Sequence, residues 1–303
     1  MGISNSRAAS NRRLILAGIR GGGTTGDVFY VDSGATGASD TAGRGKNPSI
    51  PFATVDFAKE QATADQGDVI ILMPGHAETL ATATAWDMDK AGIDVIGLGR
   101  GSLRPTFTLS ATASNVGITA ANCLIENCIF TSGTADHTIT MTIAGDEFTL
   151  RDCKFLNAAS FEAGHMVTVG LVDNDADNCL IQSCKFEAIA VGTTAAIHLP
   201  QVMDGVIIED CHLVGEWGAA GILSAAEVLT DLTIRRNYVR QDTAAQLGIE
   251  ILSACTGVMY DNYVDTAIAG VGGIDPGSLS CFQNFTDDQE VDTSAILSPV
   301  AGA

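Results

Sequence analysis

One eight-residue pattern recurs seven times in the chain and limits its fold more than any bulk property does. The copies run from Cys123 to Phe130, Phe148 to Phe155, Cys179 to Phe186, Val206 to Leu213, Leu232 to Val239, Gly257 to Val264 and Leu279 to Thr286. The sixth position of each copy is Cys128, Cys153, Cys184, Cys211, Asn237, Asn262 or Asn284, with spacings of 25, 31, 27, 26, 25 and 22 residues. Each interval holds a second apolar stretch: Thr140 to Ile143, Val167 to Val169, Ala196-Ile197, Gly221 to Leu223 and Ile249 to Ile251. A repeat of this length that supplies two or three short strands is one coil of a solenoid, because no single unit of that size buries its apolar face alone. The expected fold is all-β, a single-stranded right-handed parallel β-helix.

Strand alternation then sorts the positions of the repeat. The first, third, sixth and eighth should point inward, with a corner shifting the register between the third and the sixth. Coils stacked about 4.8 Å apart place equivalent residues on top of one another. Cys128, Cys153, Cys184 and Cys211 should form one buried column that passes into Asn237, Asn262 and Asn284. Buried Cys acts there as a compact hydrophobe, and the Asn amides must find partners within the stack. Rung-length spacing lacks the close Cys pair of a metal knuckle, and eight Cys in a long chain with no secretion signal are expected to be reduced thiols.

Outward positions are readable too. The fourth position runs Glu126, Arg151, Gln182, Glu209, Arg235, so opposite charges should meet between coils at Glu126/Arg151 and Glu209/Arg235. The seventh runs Ile129, Lys154, Lys185, His212, Tyr238, Tyr263, Phe285. With Tyr260 and Phe282 nearby, this makes an exposed aromatic strip towards the C-terminal end. Tyr238, Tyr260, Tyr263, Phe282 and Phe285 are the expected oligomer interface, with sugar stacking as the alternative use.

Before the repeats, Asp68 to Gly75, Gly92 to Gly99 and Thr106 to Leu109 have the same buried-strand character. Pro51 to Ala62 carries apolar residues at helical spacing, and a short amphipathic helix there would cap the array. The first 26 residues contain Arg7, Arg12, Arg13 and Arg20 and no acid, and include Gly21-Gly22-Gly23. The division expected is a basic arm with a Gly hinge over 1–26, a loop and capping helix over 27–66, the β-helix over 67–290 and a tail over 291–303.

Of the 16 basic and 36 acidic residues that give a net charge of -20, the part beyond the arm holds 12 and 36, or -24. A cationic arm on an acidic body argues against nucleic acid as partner. Leu14-Ile15-Leu16 is too short for a membrane span or a signal core, so a soluble protein made in the cytoplasm is expected.

Enzymatic readings find weaker support. Glycoside hydrolysis needs two carboxylates at a set separation. The fifth position offers Asp152, Asp210 and Asp261, but Ser183 and Arg236 interrupt that column, and Asp287-Asp288 lies past the last coil. A calcium-assisted lyase would use Asp173, Asp175 and Asp177 with Arg235 or Arg240 as base, yet no bidentate Glu follows at the later position of a binding loop, and a solvated turn is the plainer reading. Gly43-Arg44-Gly45-Lys46 lacks the rest of a phosphate loop, and Gly97 to Gly101 is not followed by a helix. His137, His165 and His198 should start the intervening strands of three coils, where they could stack; they show no i, i+4 metal spacing and read as ordinary coil residues. The expectation is therefore no enzyme, no cofactor and no metal.

Three opening blocks carry a resemblance: Tyr30 to Gly34 with Asn47-Pro48 and Pro51 to Val55; Gly67 to Ile70 with Met73 to Thr79; and Gly97 to Thr106. With the coils that follow, they resemble the right-handed parallel β-helix, pectin-lyase-like proteins of tailed phages, over about residues 28 to 286. The resemblance implies a virion component, commonly a homotrimer. Scarce aromatic residues (6%) and the arm of Arg7, Arg12, Arg13, Leu14, Ile15, Leu16 and Arg20 favour a capsid decoration (cement) protein that binds the major capsid protein at the capsid surface. The alternative is a tail-associated spike that binds or cleaves host polysaccharide.

Overall fold

The computed structural model describes residues 26–83, 85–135, 137–157, 164–171, 176–189, 192–224, 227–266, 273–286 and 296–297. Its strands stack into three long sheets, and nearly every pairing is parallel. Sheet A runs from Val28–Val31 through Val69–Leu72, Asp94–Gly97 and Leu124–Glu126 to Ser280–Phe282, ten strands in all. Sheet B begins at Ala77–Leu80, continues through Thr106–Leu109 and Ile129–Ser132 to Asn284–Thr286, and ends with Ile296–Leu297 paired antiparallel. Sheet C runs from Trp86–Met88 to Ile274–Asp275 in eight strands. From Val69 to Thr286 the chain visits the three sheets in turn and advances one strand per visit, which is a parallel β-helix, right-handed as parallel crossovers are.

Each copy of the eight-residue pattern spans the end of a sheet A strand, a corner and the start of a sheet B strand. The corner is the residue before the Cys/Asn position. Asn127, Asp152, Ser183, Asp210, Arg236, Asp261 and Gln283 all have φ between +51° and +59°. This single left-handed residue turns the chain between sheets and produces the register shift read from the sequence. The expected columns follow: Cys128, Cys153, Cys184, Cys211, Asn237, Asn262 and Asn284 are all buried. All eight cysteines are free thiols.

Beside the thiol column, Phe107, Phe130, Phe155 and Phe186 stack face to face with centroids 5.5, 5.0 and 5.0 Å apart. Trp86 lies 4.5 Å from Phe107 and adds sheet C to the same core. Further along, the column shrinks to Leu213, Val239 and Val264, and sheet C moves closer. A Cβ on Gly248 would stand 2.3 Å from a Val264 methyl, so glycine permits that approach. Trp217 fills the interior at this level, its backbone and Gln241 exchanging hydrogen bonds in both directions (3.0 and 3.1 Å).

The N-terminal end of the solenoid is closed by helix α1 (Val55–Gln61), which buries Val55 and Ala58 against the first coils. The helix is shorter than the Pro51 to Ala62 expected. Phe52 is instead held along the open edge of Val28–Val31, its N–H donating to the Tyr30 carbonyl (2.9 Å), while the Tyr30 N–H donates to the Gly45 carbonyl (2.7 Å). The loop thereby occupies an edge that would otherwise invite pairing. The opening sequence blocks meet at this end. His76 Nδ1 accepts the Ser33 N–H (3.1 Å), its Nε2 lies 3.3 Å from Glu78, and Glu78 accepts the Val55 N–H (3.1 Å) at the start of α1. Among the described residues no helix is long and apolar enough to cross a membrane.

Candidate functional site

The outer surface of the corner between sheets A and B holds a shallow groove over the early coils. It is lined by Arg104, Glu126, Asn127, Asp152, Ser183 and Lys185, with Ile96, Gly97 and Leu98 at one side. Its floor is the left-handed corner column. Asn127 donates from its side chain to the carbonyls of Gly97 (2.8 Å) and Gly99 (3.1 Å), which locks the incoming loop to the corner. A Cβ on Gly97 would lie 2.5 Å from the Asn127 carbonyl oxygen, so this loop passes only as glycine. Held by that loop, Arg104 crosses to the next coils, donating to the Cys128 carbonyl (3.1 Å) and the Asp152 carbonyl.

Asp152 is the distinctive group of the groove. Burial pushes its carboxyl upward from the usual range, with the neighbouring Glu126 charge adding to the shift. Among the described residues its carboxylate forms no ion pair, whereas Glu126 is held by Arg151 (2.7 Å). Lys185 reaches Glu187 (2.5 Å), which Lys154 also contacts (2.9 Å). The groove thus places a carboxyl whose pKa is raised by burial beside Arg104 and Lys185, an arrangement able to hold a polar chain.

Beyond Ser183 the same column is closed by ion pairs. Arg236 grips Asp210 through two contacts of 2.8 Å and reaches Glu209 (2.9 Å), while Arg235 also binds the buried Glu209 (2.5 Å). The inter-coil pairs expected at Glu126/Arg151 and Glu209/Arg235 are both present. Arg235 additionally donates to the Tyr260 hydroxyl (2.8 Å), and Arg240 is bound to Asp242 (2.7 Å). Carboxylates already engage both of the cations named as candidate bases.

Sequence reasoning grouped the aromatic residues as one strip, and the structure separates them. His212, Tyr238 and Tyr263 stack at 4.7 and 5.6 Å on sheet B, and Phe285 pairs in register with Tyr263. Tyr260 and Phe282 stack at 4.6 Å on sheet A, across the corner. The corner residue divides the columns. Tyr263, Phe282 and Phe285 are the most exposed, at 42–43%.

Other expected site residues fall elsewhere. Arg7, Arg12, Arg13, Leu14, Ile15, Leu16 and Arg20 lie outside the described residues, as do Asp173, Asp175, Asp287 and Asp288. Asp177 serves a turn, its carboxylate accepting the Asp204 N–H (2.7 Å). Among the described residues no three His, Cys, Asp or Glu groups converge as a metal site. His165 and His198 stack at 3.9 Å. Only His165 begins its strand. His198 ends Ala195–His198 opposite Thr168, while Ala195 is the residue that pairs with His165, and His137 precedes its strand with Nε2 on the Ser114 carbonyl (2.5 Å).

The groove itself was not legible in the sequence. Its members come from four coils; the repeat aligns Asn127, Asp152 and Ser183 at its fifth position, but Arg104, from the block Gly97 to Thr106, shares no spacing with them.

No family model matches the chain, and no curated protein matches it. Among solved structures, a rhamnogalacturonan lyase is similar, with 15% identity, a TM-score of 0.35, and coverage of 86% of this chain and 85% of that one. That finding corrects the expectation of a chain that is no enzyme. The expectation rested on a missing pair of glycosidase carboxylates, and elimination by a lyase does not require such a pair.

Proposed function

We propose that the chain is a structural component of a virion: a decoration or cement protein that sits on the capsid surface as a homotrimer and bridges neighbouring subunits of the major capsid protein. The observation that carries this reading is the position of the apolar ring edges. Tyr263, Phe282 and Phe285 protrude from two adjacent sheets in the last coils. Within each stack the ring faces are turned on one another, with interplanar angles of 8° for Tyr238/Tyr263 and 7° for Tyr260/Phe282. A sugar stacks on a free ring face, whereas exposed ring edges pack against another protein surface. The stacks therefore favour subunit contact. The arm arginines, Arg7, Arg12, Arg13 and Arg20, supply the cationic contact to the shell, and the protein is assembled in the host cytoplasm.

The test has two parts. Sedimentation equilibrium should give a trimer for the native chain and a smaller species for the double variant Tyr263→Ser with Phe285→Ser. Adding the chain to undecorated capsids should give saturable binding, and deletion of residues 1–20 should abolish it. A native monomer that ignores capsids sinks the reading.

A second reading, a tail-associated protein that binds or cleaves host polysaccharide, is favoured by the Asp152 groove. Its raised carboxyl between Arg104 and Lys185 suits an acidic glycan. Saturable binding of host polysaccharide that is lost in Asp152→Asn, or release of oligosaccharides, would establish this reading in place of the first.

A further inference from the structure

Sheet A carries an apolar patch on its outer face, confined to the first coils. Phe29, Val31, Ile70, Leu72, Val95 and Ile125 join the interior, as alternation requires. The residues between them, Val28, Tyr30, Val69, Ile71, Ile96 and Leu124, form a separate cluster that points away from the interior. In the next coils one outward column becomes charged or polar through Glu126, Arg151, Gln182 and Glu209, while the other is broken by Thr149 before reaching Leu180 and Ile207, which are half-buried and lie outside the cluster. Although they face outward, Val69 and Ile71 are 0% exposed and Ile96 3%.

We infer that this outer face is the docking site of the chain's own N-terminal segment, with Leu14, Ile15, Leu16 and Ile19 lying over Val69, Ile71, Ile96 and Leu124. Three observations select that occupant. The segment joins the solenoid at Gly26-Asp27, immediately before Val28, at the edge of the patch. The patch crosses four strands, or roughly 14 Å at about 4.8 Å per strand, whereas the nine residues from Ile19 to Asp27 reach up to about 30 Å. Gly21-Gly22-Gly23 permits the reversal of direction that docking requires.

Charge agrees with shape. Asp94 lies in the outward column between Val69 and Leu124 and is 4% exposed. The segment contains four arginines and no acid, so the carboxylate within the patch meets a segment of opposite charge. Docking the apolar residues on the parent solenoid leaves the arginines that do not face Asp94 to work outward. The segment is then a latch that covers an aggregation-prone face, and this holds whatever the protein's outer partner is.

Carbene footprinting of the full chain, free of capsids and at two concentrations a hundredfold apart, tests the assignment. In the native chain Tyr30, Ile71 and Ile96 should stay as unlabelled as Ile70 and Leu72 at both concentrations. Replacing Leu14→Ser, Ile15→Ser and Leu16→Ser should raise labelling of the outward residues several-fold and leave the inward ones unchanged. In the reverse experiment, Ile96→Ser should speed tryptic cleavage after Arg12, Arg13 and Arg20 by about tenfold, since cleavage follows the released population. Labelling unchanged in the triple variant, or native labelling that rises on dilution, overturns the assignment; the second result names another copy of the chain as occupant.

Discussion

The side-chain oxygen of Asn262 accepts two hydrogen bonds from Asn237, one from its backbone N–H and one from its side-chain amide, each 3.0 Å. Asn262 in turn donates to the Ile234 carbonyl (2.9 Å) and to Asn284 (2.8 Å), whose oxygen accepts the Asn262 N–H (3.1 Å). Each Asn therefore satisfies the corner amide of the coil before it. Cys211 is the last beneficiary, its N–H donating to Asn237 (2.9 Å). Removing Asn262 leaves the Asn237 donors without their acceptor and the Ile234 and Asn284 oxygens without their donor. Asn262→Ala should lose about 3 kcal/mol of stability, since unmade buried hydrogen bonds cost about 1–3 kcal/mol each. In a double-mutant cycle with Asn237→Ala, a coupling of about 1–2 kcal/mol is expected from urea unfolding. Additive losses would show that the ladder acts as independent bonds.

The aromatic stack predicts a different sensitivity. Phe155 lies between Phe130 and Phe186, 5.0 Å from each, and is fully buried. Phe155→Ala opens a cavity between two rings held by their own strands, which prevents collapse. A loss of about 3–5 kcal/mol is expected, against less than about 1.5 kcal/mol for Phe155→Leu. Equal losses for the two variants would mean that ring stacking, rather than filled volume, sets the cost.

The corner column was legible because parallel stacking in register makes each coil repeat the chemistry of the last. Cys128, Cys153 and Cys184 announce one another in the sequence, and the left-handed residue before each is the physical origin of the repeat. Sheet C was less legible. His165 and His198 do stack, as equivalent positions in successive coils suggested, but from opposite ends of their strands, a placement that their spacing in the sequence does not record. The division of Tyr238 and Tyr263 from Tyr260 and Phe282 was hidden for a related reason. A left-handed corner such as Asp261 sends neighbours in sequence to different sheets, which linear spacing does not record. The groove at Asp152 depends on Arg104 crossing coils, and such contacts leave no pattern.

Thiol chemistry reports the solenoid's integrity. All eight cysteines are buried, and burial pushes Cys179 up to about 12. Thiolate is the reactive form, so burial withholds access to all eight and, at Cys179, ionisation as well. A disulfide-exchange reagent at pH 8 should modify no thiol in the native protein within an hour and all eight in guanidinium. Rapid reaction of a native thiol would mean that its coil opens locally.

The His165/His198 stack gives the fold a pH dependence of definite sign. Burial lowers His165 from 6.5 to about 4, with the His198 charge adding to the effect, and burial lowers His198 as well. Both rings are therefore neutral when folded and take up protons more readily when unfolded. Between pH 6.5 and about 4 the unfolded chain binds more protons, so stability falls as pH falls through that window and this contribution levels off below it. For His165 the loss amounts to at most about 3 kcal/mol, at about 1.4 kcal/mol per pH unit. Carboxylates titrate over part of the same range, so the comparison must be internal. The double variant His165→Gln with His198→Gln should lose less stability between pH 7 and 4.5 than the native chain in parallel urea titrations. Identical pH slopes for the two proteins would show that the rings are solvated and protonate without cost.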